Sequence, residues 1–536
     1  MSTIIEILSL FSFRDVVNVF CIISILYVIK FYILYFTRTN SLPGPFPLPL
    51  VGNLFQILLF AGDISKWALH CQEKYGDVWE TYIGTAKIVW LARADLIEKL
   101  MNSSRNSNYF HRTWENHGYE MLGFSSSGIV FNRNKTTWAF NRKMFAQAVG
   151  SSIFTDPVIE WIQTVFVEME RYLLDLGFDE KEFNFAEWAP RLFTDMLFSM
   201  TMDKYACTMA MLYNSHNPLK LAPYPEEIVA ESDAFVKALH THFRSLKYFR
   251  FTPEIIRKKT PFGRKKAKEY LDNLVWLRSV LINIIQEKKK KIMNTDEPVK
   301  LKPDLMTLLA AVNTPKDMTK KLESIVEPPL TDEEIGNCFM DITTAGIDSS
   351  SNLICSIIYC IIIHPEVKKR LRAELDTVLG TDPTRLISYE DLNKLEYTKA
   401  VIQEVSRLHP VTPFTSRLPD KDDVIGGYPI KGGELIFVSI IGIQVNPKHW
   451  PDPKEFNPDR FLKQSGSMKN EFPMFGGGLR ICPGRHLAMT EMKIIIAMIF
   501  RKFDPELATP DTKPKYKYEA LIRCHELMLR FKKRIE

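Results

Sequence analysis

One short run constrains this chain more than any other: Phe475-Gly476-Gly477-Gly478-Leu479-Arg480-Ile481-Cys482-Pro483-Gly484-Arg485-His486. Glycines crowd both sides of a single cysteine, an arginine stands two residues before it, and an aromatic opens the run. A thiolate that holds a metal needs backbone N–H groups aimed at its sulfur, and glycines let the chain turn tightly enough to aim them. Arg480 on the same loop is placed to pair with an anionic group of whatever the sulfur binds. Two plainer readings compete. Most cysteines of an intracellular chain are small buried hydrophobes without chemistry. Zinc would use His486, four residues on, but no C-x2-C or H-x3-H set stands nearby to complete a tetrahedral shell.

The rest of the chain is built on the scale of one large catalytic domain. Its 536 residues contain no internal repeat, long Gly/Ser linker or low-complexity tract. Hydrophobic residues make up 46% and aromatics 12%, enough for an extensive core. The net charge of +6 comes from 69 basic residues interspersed with 63 acidic ones, which argues against a nucleic-acid partner. Lys288 to Lys291 read as the solvated C-terminal end of a helix. Cysteines 21, 71, 207, 338, 355, 360, 482 and 524 are too scattered for a disulfide scaffold, so the catalytic part is expected to face a reducing compartment.

Near the start, Val16 to Phe36 is almost continuously apolar, interrupted chiefly by Asn18, Ser24 and Lys30. As a helix it reaches about 30 Å, enough to cross a bilayer core. Tyr35-Phe36-Thr37-Arg38 offers no small-residue cleavage site, so an uncleaved anchor is preferred over a signal peptide. Arg14 before it and Arg38 after it are too even to fix its orientation. The alternate prolines of Leu42-Pro43-Gly44-Pro45-Phe46-Pro47-Leu48-Pro49 then read as a stiff extended hinge. The expected organisation is an anchor over 1–41, a hinge over 42–53 and a catalytic domain over 54–536.

Further on, Thr331 and Glu334 have the spacing of a capping box, and apolar residues continue to Ile363 before His364-Pro365 ends the helix. Inside it lies the polar stretch Thr343-Thr344-Ala345-Gly346-Ile347-Asp348-Ser349-Ser350-Ser351. A glycine there costs about 1 kcal/mol relative to alanine, and hydroxyls divert backbone carbonyls, so the stretch is either a plain kink or functional. A second helix, Tyr397 to Leu408, sets Glu404 and Arg407 three apart on one face. Helical periodicity recurs at Ala267 to Ile285 and Glu366 to Val378. Gly426-Gly427 suggest a turn between short strands.

Phe475, Gly478, Arg480, Cys482 and Gly484 follow the order Phe-x-x-Gly-x-Arg-x-Cys-x-Gly, which resembles the haem-thiolate loop of the cytochrome P450 family. The likeness extends over nearly the whole chain: anchor, proline segment, Trp138 and Arg142, the Ala345-Gly346 helix, Glu404 and Arg407, Phe456 to Phe461, then the cysteine loop. It implies a mainly α fold with a smaller β-rich region, preceded by an N-terminal transmembrane helix. It implies haem b with Cys482 as axial iron ligand, and propionates met by Trp138, Arg142, Arg417 and Arg480. Ala345 and Gly346 would shape the oxygen pocket, with Asp348 and Ser349 managing protons; Ser349 departs from the family's usual threonine but keeps the hydroxyl. Glu404, Arg407 and Arg460 would form a structural network behind the haem.

The expected function is a monooxygenase that inserts one atom of O2 into a lipophilic substrate. No nucleotide motif or flavin domain follows the cysteine loop, so NADPH would act only indirectly, through NADPH–cytochrome P450 reductase docking near Arg133, Lys135, Lys143 and Arg485. The setting implied is the endoplasmic reticulum membrane, single-pass, with the catalytic domain cytosolic. Phe110, Phe124, Met340, Val411 and Phe414 are candidate pocket residues, for which core packing is the competing role. A haem-thiolate isomerase or dehydratase, and a non-enzymatic haem sensor or carrier, are the alternative functions.

Overall fold

A computed structural model describes residues 12–39, 41–84, 86–102, 104, 107–113, 117–123, 127–295, 303–319, 327–463, 471–518 and 521–534. Elements used below are labelled in chain order. Helix α1, Phe13–Phe36, starts on a capping box in which Ser12 and Asp15 bond reciprocally. Its span Val17–Phe36 is long and apolar enough to cross a membrane and is entirely unburied. Tyr32 stacks on Phe46 at 5.2 Å, and Arg38 reaches Glu80 at 2.9 Å, so the foot of the helix rests on the domain.

Strand β1, Val78–Ile83, pairs antiparallel with β2, Ala86–Leu91. The proline segment runs along β1: Glu80 N–H donates to Pro43 C=O at 2.9 Å, and Asn53 Oδ1 accepts from Tyr82 N–H at 2.7 Å. A Cβ at Gly44 would lie 2.1 Å from Glu80 O, so only glycine permits this approach. The segment expected as a hinge is bonded along β1, because prolines leave carbonyls free to accept even where they cannot donate.

The body is helical. Helices α2 (Lys135–Val149), α3 (Phe185–Met202) and α4 (Glu226–Phe251) precede the long helix α5, Asp332–Ile363, whose predicted Thr331–Glu334 capping box is present. Residues 335–341 and 350–358 on either side of its middle are buried, the apolar ones in the main core with α3 and with α7, Arg485–Lys502. Helix α6, Glu396–Leu408, packs against both α5 and α7 and adds Val401, Ile402 and Val405 to that core. Strands β3 (Phe414–Arg417) and β4 (Leu435–Ser439) complete a mixed sheet in the order β1-β2-β4-β3, with β2 and β4 parallel. Near the C-terminus β5 (Lys515–Tyr518) and β6 (Ile522–Glu526) form a hairpin whose register shifts after Cys524.

The turn at Gly426-Gly427 joins two short strands with both glycines at positive φ, as the sequence predicts. The lysine run is not merely solvated. Lys288 pairs with buried Asp304 at 2.6 Å and Lys289 with Asp332 at 2.6 Å, pinning its helix to neighbouring elements.

Candidate functional site

The cysteine loop folds back on itself: Cys482 N–H donates to Phe475 C=O at 2.9 Å, and Gly484 N–H donates to the sulfur. Gly476 and Gly478 have φ of 71° and 64°, and a Cβ at Gly478 would stand 2.3 Å from Met101 O. These glycines are required by the turn and by the close approach. Gly484 has an ordinary φ, and a Cβ there would meet nothing within 4 Å, so it leaves open space beside the sulfur. Cys482 precedes the N-terminus of α7, where the helix dipole favours negative charge. Burial pushes its thiol up, while Gly484 N–H, Arg142, Arg112 and Arg485 oppose that rise.

Arginines converge on this loop. Arg480 donates to Asn132 C=O at 3.3 Å, and its guanidinium lies 4.6 Å from the Phe110 ring centroid and 4.9 Å from that of Trp138. Arg142 donates to Ile481 C=O, Arg112 to Arg480 C=O at 2.6 Å, and Arg417 to Leu100 C=O at 3.3 Å. Burial lowers all four, and each is lowered further by at least one of the others except Arg112: Arg417 to about 9, Arg142 to about 10, and Arg480 well below the usual guanidinium range. Nε and Nη1 of Arg480 and Nε of Arg112 are buried without a hydrogen-bond partner. So many cations beside one thiol are stable only with anions among them.

Arg112 was not foreseen, since nothing in His111-Arg112-Thr113 marks it in sequence. Trp138 is placed with this group, but its indole N–H donates to Ile129 C=O at 3.0 Å. Phe110 is 2% exposed and packs edge-on to Trp138 at 5.1 Å.

Helix α5 supplies the opposite wall. Asp341, also unforeseen, accepts from Ile129 N–H at 2.6 Å and Val130 N–H at 2.9 Å, and burial pushes it up to about 6. It attracts both Arg480 and Arg112, which places this part of α5 against the arginine cluster. One turn on, Ala345 is exposed although it lies mid-helix, and a Cβ on Gly346 would meet nothing within 4 Å. Ser349 donates to Ala345 C=O at 2.7 Å. Asp348 is ion-paired with Arg523 of β6. Behind the helix Ser350 donates to Glu491 of α7 at 3.2 Å, where burial pushes the carboxyl up to about 8.

Glu404 and Arg407 make a bidentate pair at 2.7 and 2.8 Å with neither side chain exposed. Arg407 also donates to the carbonyls of Gln444, Pro453 and Glu455, and Arg460 lies 3.4 Å from Glu404. Among the pocket candidates, Met340 is buried in the core, Val411 C=O accepts from Ile522 N–H, and Phe414 stacks on Phe437 at 4.9 Å. Phe124 lies outside the described residues. In the basic patch, Lys135 pairs with Asp420 and Lys143 with Glu327 at 2.8 Å each, and Arg133 donates to Thr113 C=O.

A thiol, unpaired guanidinium N–H groups around it and open space beside Gly484 and Gly346 suit a flat iron-bearing group with carboxylate arms. Among the described residues no cluster of His, Cys, Asp and Glu could hold a bare metal ion instead. The family model "Cytochrome P450" matches residues 42–531. The chain is 26% identical over 473 residues to aromatase 3 of Sus scrofa, covering 87% of this chain and 83% of that protein. It is 26% identical over 471 residues to cytochrome P450 2E1 of Bos taurus, covering 86% of each. Against cytochrome P450 3A13 of Mus musculus it is 24% identical, covering 86% and 85%. Motif, cation cluster and family match converge: the chain belongs to the cytochrome P450 family of haem-thiolate monooxygenases.

Proposed function

We propose that this protein is a membrane-anchored monooxygenase of the endoplasmic reticulum that oxidises a lipophilic organic substrate, taking electrons from NADPH through a separate reductase. The balance is one substrate C–H, one O2, one NADPH and one proton giving a C–OH, water and NADP+. Cys482 at the mouth of α7, beneath buried arginines with orphaned N–H groups, is the observation that carries this reading.

When bound, haem supplies the iron at which dioxygen is reduced and cleaved, and a thiolate ligand favours that cleavage. The chain's own residues set the conditions. Gly484 N–H and the dipole of α7 stabilise negative charge on Cys482 Sγ. Arg112, Arg142, Arg417 and Arg480 would hold the haem's carboxylate arms, with the Arg480 guanidinium 4.6 and 4.9 Å from the Phe110 and Trp138 ring centroids. Phe475, Gly478 and Gly484 shape the loop. Ala345 and Gly346 leave open space along α5 where dioxygen would be accommodated. Ser349 spends its proton on Ala345 C=O, so its oxygen lone pairs remain to accept a hydrogen bond from water, and Asp348 exchanges protons with solvent.

Helix α1 serves as the single-pass anchor, with the catalytic domain in the cytosol. Arg133, Lys135, Lys143 and Arg485 form the basic face for an acidic reductase surface, and exchange of the Asp420 and Glu327 partners of the two lysines accompanies docking.

Cys482→Ser is expected to abolish the red-shifted band of the reduced carbon-monoxide complex, because an alcohol does not replace thiolate donation. A normal band in that variant removes the basis of the proposal. A lipophile screen following the haem absorption band, with mass spectrometry of products, then identifies the substrate class. Product formation without reductase or NADPH would favour the isomerase or dehydratase, and no reductase-dependent NADPH oxidation with any spectral ligand would favour a sensor or carrier.

A further inference from the structure

The hairpin of β5 and β6 is bolted to α5 one turn beyond the oxygen pocket. Asn352 accepts from Cys524 N–H at 2.6 Å through Oδ1, while its Nδ2 donates to Asp348 C=O. Ser356 bonds Tyr516 at 2.8 Å, and Ile522 N–H donates to Val411 C=O at 2.9 Å. These contacts fix the register of β6 against the helix, and the register shift just after Cys524 bends the strand there. The consequence falls on the neighbouring residue: Arg523 brings its guanidinium to the carboxylate of Asp348, 175 residues away in sequence.

Neither partner is sealed. Their side chains are 39% and 31% exposed, in a segment of α5 flanked by fully buried turns. Burial lowers His240 of α4 most; Asp348 opposes that lowering, while Arg523, Arg244 of α4 and Arg191 of α3 add to it, so these groups lie within electrostatic reach of His240. Asp348 is thus one carboxylate among several cations, and Arg523 alone makes a direct ion pair with it among the described residues.

We propose that Arg523 is the positioning residue of proton delivery, holding the Asp348 carboxylate aimed beside Ser349 from a strand that the family motifs do not include. This rests on the proposed role of Asp348 as proton carrier. A guanidinium at contact distance restricts the rotamers of the carboxylate, so the acid is kept in one place between proton transfers.

The test uses holoprotein with NADPH–cytochrome P450 reductase and dioxygen as the only acceptor. One NADPH gives two electrons, which with two protons reduce O2 to hydrogen peroxide; two NADPH give four, which with four protons yield two waters. Arg523→Gln is expected to raise peroxide per NADPH severalfold and to enlarge the solvent deuterium isotope effect on NADPH oxidation. Arg523→Lys should restore much of the original ratio, and Arg523→Gln should add nothing in an Asp348→Asn background. Amide hydrogen exchange over residues 515–526 is expected to stay unchanged in Arg523→Gln, because the Asn352, Ser356 and Val411 bonds still hold the hairpin. If Asp348→Asn alters the ratio while Arg523→Gln does not, Arg523 has no positioning role. Faster exchange of the hairpin accompanying the peroxide change would make Arg523 a structural clamp and overturn the inference equally. An unchanged ratio in Asp348→Asn would overturn the proton-carrier reading, and this inference with it.

Discussion

At the scale of single residues, the site depends on groups whose chemistry depends on their neighbours. Ser349 is the clearest case. As a β-branched threonine it would have a restricted rotamer, whereas serine turns more freely, and here its hydroxyl donates to Ala345 C=O at 2.7 Å and, more weakly, to Gly346 C=O at 3.4 Å. Ser349→Ala is expected to lower product per NADPH and raise peroxide release severalfold while the carbon-monoxide spectrum is retained. Ser349→Thr should match or exceed the native ratio. Equal ratios in the native protein and Ser349→Ala, measured with a true substrate, would reduce Ser349 to helix packing. Sequence marked Cys482, Arg480 and Ser349 because they sit in short local patterns. It could not mark Arg112 or Asp341, whose roles come from a loop folding between α5 and the cysteine turn.

At the scale of elements, two helix contacts carry measurable energy. Glu404 and Arg407 are fully enclosed, and Arg407 also satisfies carbonyls from a distant loop. Removing one side of such a pair leaves an uncompensated buried charge, so Arg407→Ala is expected to cost about 3–5 kcal/mol in denaturant unfolding. Arg460, partly exposed at the rim, should cost less.

The second contact joins α5 to α7 through Ser350 and Glu491. Burial raises the Glu491 carboxyl from its ordinary 4.5 to about 8 in the fold. The fold therefore binds this proton more tightly than the unfolded chain. Its contribution to stability is full below pH 4.5 and is lost as pH rises to about 8, a decline of at most about 5 kcal/mol. Glu491→Gln should flatten the pH dependence of the urea midpoint across that window, and an unaltered slope would assign the dependence elsewhere.

At the scale of the whole molecule, the orientation proposed for α1 fixes which compartment meets the surface. Asn102-Ser103-Ser104 and Asn134-Lys135-Thr136 have the form of glycosylation sites, and both asparagines are exposed. Asn134 is the N-cap of α2, its Oδ1 accepting from Thr136 and Thr137 N–H. With the domain in the cytosol neither should carry glycan in the native host, and endoglycosidase treatment should leave electrophoretic mobility unchanged. A shift would place the domain on the luminal side.

Local patterns in the sequence determined the long apolar helix α1, the capped α5, the Gly426-Gly427 hairpin and the identity of the thiol loop, because caps, turns and helical periods act between residues a few positions apart. Tertiary structure alone decided the rest. The proline segment is bonded along β1 because Gly44 allows the two backbones to touch. Lys288 leaves solvent because Asp304 is brought beneath it. Arg112 joins Arg480, and Arg523 joins Asp348, across separations that no local pattern spans. Such pairings depend on how helices and strands pack, and charge, burial and direction are then assigned together.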